Sequence, residues 1–253
     1  MKKLFLFFLI VSFSLKAQKS NDELFTVVTY KMVKADFNIS EENTGRKELK
    51  EMAEDMFKAY DKVECELLYN KEKSLFRKID KIEMDGDKAY RMASVFVNGN
   101  FIRDNKKNEK IKQTKIDDVT YNVIYPSKEY DWELINESKK ISGYTCYKAK
   151  TSYDVVNRTK NTTTKVEVIA WYSPEIPCNY GPRGFDGLPG LVLEVQPNKT
   201  FYFHATNIAF NIKRKDANFD RPLKGEYVTK QKCDSISNEQ FRKREEFRKS
   251  LMR

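Results

Sequence analysis

From Leu24 the chain reads LFTVVTYKMVKADF, rich in β-branched and aromatic residues, and this predicts a first strand over residues 24–37. The period then lengthens. Thr44 is a capping candidate, and Leu49, Met52, Ala53, Met56, Phe57 and Tyr60 follow at helical spacing, predicting an amphipathic helix of about four turns with that stripe as core. From Val63 the period is two, with Val63, Cys65, Leu67 and Tyr69 alternating with Glu64, Glu66 and Leu68. Further strands are expected at residues 74–79, 88–97, 100–104, 110–116, 119–125, 132–136, 144–153 and 165–172. Asn98-Gly99 suits a type I′ hairpin, whose two central positions both need φ > 0. Residues 105–110 read as a charged, solvated tip, and 157–164 as a polar hairpin loop. Strands at 191–195 and 200–209 flank Pro197-Asn198, and a last one is expected at 227–231. Residues 233–253 form a basic helical tail, whose apolar face (Phe241, Phe247, Leu251) is too thin to anchor it to a membrane.

About ten strands at hairpin spacing, with one helix early and one late, predict an α+β chain that is mainly antiparallel β. The expected architecture is a strongly curved sheet or open half-barrel with a helix on its concave face. In element order this layout resembles bacterial envelope lipoprotein carriers, a likeness of fold that carries no function.

The punctuation of the pattern is concentrated in WYSPEIPCNYGPRGFDGLPGLVLEV, residues 171–195. Four of the seven prolines (Pro174, Pro177, Pro182, Pro189) and four of the nine glycines (Gly181, Gly184, Gly187, Gly190) lie there, between two stretches that read as strands. Proline fixes φ and glycine opens φ > 0, so residues 174–190 should be a long, conformationally specified loop. It is a structural corner or a ligand- and partner-contacting loop. The third-residue glycine repeat is far too short for collagen, and neither GxGxxG nor a glycine-lysine-serine/threonine phosphate loop is present.

Within this stretch, Gly187-Leu188-Pro189-Gly190-Leu191-Val192-Leu193-Glu194, with Trp171-Tyr172-Ser173-Pro174-Glu175-Ile176-Pro177 and Gly181-Pro182 before it, resembles the signature of the GLPGLI family. Those are secreted or envelope proteins of Bacteroidetes-type bacteria. Upstream, Trp132-Glu133, Ile141, Gly143-Tyr144 and Cys146-Tyr147-Lys148-Ala149 are similar to the family's second block, and the resemblance covers roughly residues 119–210. Val192 stands where the name-giving signature has isoleucine, another β-branched residue. The resemblance implies export and an envelope address, and it supplies no reaction.

Export is also read from the first residues. MKKLFLFFLIVSFSLKAQ has two lysines followed by an apolar run too short to span a bilayer, the layout of a secretory signal peptide over residues 1–17. The expected mature chain starts at Gln18, is periplasmic or secreted, has no transmembrane segment and, with no cysteine near the cut, no lipid anchor. Losing Lys2, Lys3 and Lys16 takes the formal charge from +10 to +7. Lysines and acids are mixed throughout, so the excess reads as a solvated surface or one facing an acidic envelope partner, not as a nucleic-acid patch. Residues 18–232 form one β-rich domain, and 40% hydrophobic residues make a substantial core feasible.

In an oxidising compartment, Cys65, Cys146, Cys178 and Cys233 imply up to two disulfides. Cys146–Cys178 is the preferred pairing and Cys65–Cys233 the competing one, and both can coexist. With no CxxC and a single histidine, a zinc site is not expected, nor is any cofactor. His204, in FYFHAT, shares a face with Tyr202 and has no nucleophile motif beside it. Polar groups converge on irregular backbone only in the central loop, at Glu175, Tyr180, Arg183 and Asp186. Arg183 and Asp186 can pair and pin the loop, an exposed pairing worth roughly 0–1 kcal/mol, or they can serve recognition with Tyr180. Two functions follow. One is a non-enzymatic envelope protein that binds an apolar small molecule or an envelope protein partner, serving outer-membrane transport. The alternative is a periplasmic hydrolase using carboxylates near residues 174–190. A deep apolar cavity favours the first, and a polar cleft with carboxylates about 5–9 Å apart favours the second.

Overall fold

The computed structural model describes residues 23–37, 47–157, 162–214 and 223–251. The expected leader, Thr44 and the tip of the 157–164 loop lie outside those residues. Twelve strands form one open sheet: β1 (Leu24–Lys34), β2 (Glu64–Tyr69), β3 (Lys73–Lys78), β4 (Asn100–Asp104), β5 (Glu109–Ile116), β6 (Val119–Tyr125), β7 (Glu133–Ile141), β8 (Tyr144–Asn157), β9 (Thr162–Ser173), β10 (Leu191–Gln196), β11 (Phe201–Lys213) and β12 (Glu226–Thr229). Their order is β12-β6-β5-β4-β3-β2-β1-β11-β10-β9-β8-β7, and every pairing is antiparallel except β12 with β6. Two sequential meanders, β1–β6 and β7–β11, are therefore joined along β1 and β11, where Val28 faces Ile208.

The connectivity dictates the curvature. Between β6 and β7 lie ten strand steps, an arc of about 48 Å at the usual inter-strand spacing. Residues 126–132 make that connection directly, and even fully extended they reach only about 27 Å. The sheet must curl until its two ends approach each other across this linker. The result is the strongly curved, open, mainly antiparallel sheet that the strand pattern predicts.

Among the described residues three α-helices accompany it: α1 (Lys47–Lys58), α2 (Lys88–Ser94) and α3 (Lys230–Ser250). Alternation along each strand sends one set of side chains to a covered face. There Phe57, Tyr60, Tyr90 and Val97 join Met32, Phe76, Phe201 and Phe203 in the main core. The Tyr60 and Phe201 rings meet edge-on at 5.5 Å, as do Phe201 and Phe203. Only the C-terminal part of the predicted helical stripe is core, since Leu49 and Met52 are exposed. Residues 88–97 are α2 and a 3-10 turn, not a strand: the Asp87 side chain accepts a hydrogen bond from the Tyr90 amide at 3.0 Å and starts the helix. Asn98 is extended (φ −63°, ψ 136°) and only Gly99 has positive φ, so this turn is not type I′. The basic helix starts earlier than expected, at Lys230. Its first turns are docked, with Cys233 and Ile236 packed against Tyr121 and Val123 of β6.

On the opposite face, Tyr202 and His204 alternate with the buried Phe201 and Phe203. His204 Nδ1 lies 2.9 Å from Glu194 Oε2, and Lys139 Nζ lies 2.6 Å from Glu194 Oε1 and 4.4 Å from the Trp171 ring centre. Burial works to raise the Glu194 carboxyl, but the hydrogen bonds from His204 and Lys139 overcome it and hold the group below its ordinary value. A carboxyl depressed in the folded state contributes stability above its unfolded value, about 4.3, and loses it as pH falls through the folded one. Thermal melts of Glu194→Gln should therefore decline less steeply than wild type below about pH 4.5. Parallel curves would show that Glu194 has no part in acid sensitivity.

Candidate functional site

The β9–β10 hairpin pairs Ser173 with Leu191, and between them residues 174–190 leave the ladder and cross the covered face. The loop is tied to itself by hydrogen bonds from the Gly187 amide to the Asn179 carbonyl (2.9 Å) and from the Leu191 amide to the Ile176 carbonyl (3.1 Å). Ile176, Tyr180, Phe185, Leu188 and Leu191 are buried in the main core, while Gly187 and Pro189 are exposed. Tyr30 on β1 donates to the Val192 carbonyl at 2.6 Å and fixes the exit.

Three of the four polar residues singled out in this loop are occupied within the fold. Glu175 accepts from the Thr145 amide at 2.8 Å, at the start of β8. The Tyr180 hydroxyl accepts from Asn105 Nδ2 at 2.9 Å, and its ring lies 5.4 Å from Tyr69. Asp186 does not pair with Arg183. It is buried, with Arg103 Nη1 of β4 at 3.0 Å and Lys110 Nζ of β5 at 3.2 Å, and Trp132 Nε1 donates to its carbonyl at 2.9 Å. Lys110, expected in a solvated tip, is 4% exposed; it also reaches the Gly184 carbonyl and Glu129, both at 2.6 Å. The loop is thus bolted across the sheet, from the second meander to the first.

Of the four, Arg183 alone lines the ring-walled cavity beside the loop. This space of about 170 Å³ lies between the loop, β4–β6 and the first residue of α3. Phe101, Tyr130, Phe185 and Tyr153 supply its rings; Tyr130 stacks on Phe185 at 5.1 Å, and Tyr153 donates to the Pro197 carbonyl at 3.0 Å. Lys110, Lys112, Arg183 and Lys230 supply four cations, against the single carboxylate of Glu129. Burial, and secondarily the charge of Arg183, pushes the Lys112 ammonium down from its ordinary value. Burial likewise raises the phenols of Tyr125 and Tyr130, which stay protonated donors at neutral pH. A second, open concavity of about 770 Å³ beside it is lined by Asp131, Glu133, Asp154 and Glu167. Those acids are exposed, so water rather than a dry wall surrounds them, which is poor ground for splitting the acidities of a catalytic pair.

None of the four cysteines is joined in a disulfide, contrary to the expected pairings. Cys65 belongs to the main core and Cys233 to the separate cluster under α3, so they do not meet. Cys146 points to the Tyr144 carbonyl, 3.7 Å away, whereas Cys178 neighbours the Tyr69 hydroxyl. Burial raises Cys146 to about 11, so it stays an unreactive thiol. Among the described residues no group of three or more His, Cys, Asp or Glu could hold a metal, and no helix is long and apolar enough to cross a membrane.

A family model described as a protein of unknown function (Porph_ging) matches residues 132–194. That span opens on Trp132, which holds Asp186, and contains the whole central loop. No curated protein matches. Structures of PNGF-II in the C2 and P21 space groups superpose with TM-scores of 0.54 and 0.53 at 15% identity, covering 85% of this chain and 32% and 33% of theirs. At that identity the likeness is one of fold, and this chain spans about a third of the length of PNGF-II. LprF from Mycobacterium bovis matches at 10% identity over 82% of this chain and 92% of its own, with a TM-score of 0.23, too low to carry an argument.

Most cavity residues outside the loop were hidden in ordinary strands, with Glu129 and Tyr130 in the linker after β6 and Lys230 at the start of α3. Lys110 and Lys112 sit two apart on β5, so the strand period turns both to one face, opposite Tyr125 and Val123 of β6. Two lysines on one strand face, one of them opposite a tyrosine, were the available signal.

Proposed function

We propose that this chain is an exported envelope protein of the GLPGLI type that binds a small molecule and performs no chemistry on it. One observation carries the reading: the ring-lined cavity of about 170 Å³ between the central loop and β4–β6. An apolar cavity of about 150 Å³ is enough to hold a benzene ring, so this space suits one ring with a short substituent. The leader-like residues 1–17 and the motif at 187–194 support the address. The cations in the cavity amend the expected ligand, since a purely apolar molecule would leave them without a counterpart.

The test is a two-dimensional NMR titration of the chain from Gln18 onward with single-ring compounds of differing charge. Saturable binding, with amide shifts centred on Phe101, Tyr130, Tyr153 and residues 183–185, is the expected result. If no ring compound binds, or if the shifts gather on α3 alone, the reading fails.

A further inference from the structure

The cavity contains two cations with no acid of their own. Among the described residues neither Arg183 nor Lys112 has an ion-pair or hydrogen-bond partner for its charged group; Lys112 has only the Phe101 ring, 5.3 Å from its Nζ. The nearby carboxylates are taken. Glu129 and Asp186 hold Lys110, and Asp234 holds Lys230 at 3.2 Å. Unpaired charge withdrawn from water destabilises a fold, and proteins pair or neutralise it unless a ligand does so.

Arg183 carries a second cost. Its backbone is left-handed (φ 56°, ψ 25°), a conformation that glycine or asparagine adopts at little cost and a long side chain does not. Strain of this kind at a non-glycine residue persists where the side chain is needed at that spot. The same residue therefore bears a strained backbone and an uncompensated guanidinium, and both point into one aromatic cavity.

Resting on the binding reading above, we infer that the ligand is an organic oxyanion, a carboxylate or phosphate group on a body of about one ring, with Arg183 as its anchor. The guanidinium fork matches two oxygens of such a group, and Lys112 adds a second positive charge. The Tyr125 and Tyr130 hydroxyls, which have no hydrogen bond to another described residue, are further donors. Phe101, Phe185 and Tyr130 cover the ring.

Affinities of benzoate, phenyl phosphate, benzyl alcohol and inorganic phosphate, measured by calorimetry on the same chain, test this. At least one of the two ring anions should bind about ten-fold or more tighter than benzyl alcohol, the worth of one charge-assisted hydrogen bond, and the tighter of them identifies the oxyanion. Arg183→Asn should abolish that preference while melting no lower than wild type, because asparagine tolerates the left-handed backbone. Arg183→Lys should keep part of the preference, which separates loss of charge from loss of fold. Benzyl alcohol binding as tightly as both anions would overturn the inference and leave the binding reading standing; no binding by any ring compound removes both. Inorganic phosphate binding as tightly as phenyl phosphate would also overturn it, because the rings would then contribute nothing.

Discussion

Asp186→Ala should lower the unfolding free energy by about 3 kcal/mol, the lower end of the range for removing one partner of a buried ion pair. The carboxylate is 6% exposed and holds Arg103 and Lys110, whose side chains are 14% and 5% exposed. Both cations keep some company after the substitution, Lys110 with Glu129 at 2.6 Å and Arg103 with Asn105 and the Ser127 carbonyl, which moderates the loss. The two remaining charges nevertheless lose the acid that sits between them. A double-mutant cycle with Arg103→Met, read by urea unfolding, measures the coupling directly. A loss below about 1 kcal/mol would mean that the site is wetter than its burial indicates and that the pair behaves as an exposed one.

Gly190→Val should cost about 3 kcal/mol or more and depress the soluble yield, because both its backbone and its surroundings exclude a side chain. Its φ is +154°, and a Cβ placed there would lie 2.2 Å from the Ser173 carbonyl oxygen and 2.8 Å from the Pro174 nitrogen. Those are backbone atoms at the last rung of the β9–β10 ladder, so no rotamer change relieves the clash. Gly187 provides the control. It also has positive φ, +92°, but no atom lies within 4 Å of the added Cβ, so Gly187→Val should lose only the conformational term of about 1–2 kcal/mol. Equal melting temperatures for the two variants would contradict the steric account.

Much of the sheet was legible because its signals are local. Alternation in β2, β5, β6 and β8–β11 and the turn at Pro197-Asn198 identify hairpins without reference to the rest of the chain. Residues 88–97 misled because Ala89, Tyr90, Met92, Ala93 and the valines serve a short helix as well as a strand, and the deciding Asp87 cap is one hydrogen bond. The candidate site was legible by region only. Proline and glycine mark residues 174–190 as specified backbone, but which acid meets which base depends on where the loop lands. Asp186 lands on β4 and β5, more than 70 residues earlier in the chain, and this leaves Arg183 single. Spacing alone paired Arg183 with Asp186 because three residues is a short distance along a chain, and it is no guide to direction across a sheet.

The two-meander layout also orders the assembly of the molecule. Within each meander, neighbouring strands are joined by connections that are mostly short, but β1 meets β11 across some 180 residues, so that seam is the long-range contact whose closure should come late. The central loop grows from the second meander and is bolted to β4 and β5 of the first, so it can settle only once the seam has closed. The cavity inherits this dependence. Phe101 and Lys112 come from one half, Tyr153 and Arg183 from the other, and no half contains a usable binding surface alone. A molecule held there would act as a rivet across the chain's two halves, drawing on the free energy of the whole sheet and returning it as a common rise in the melting of both.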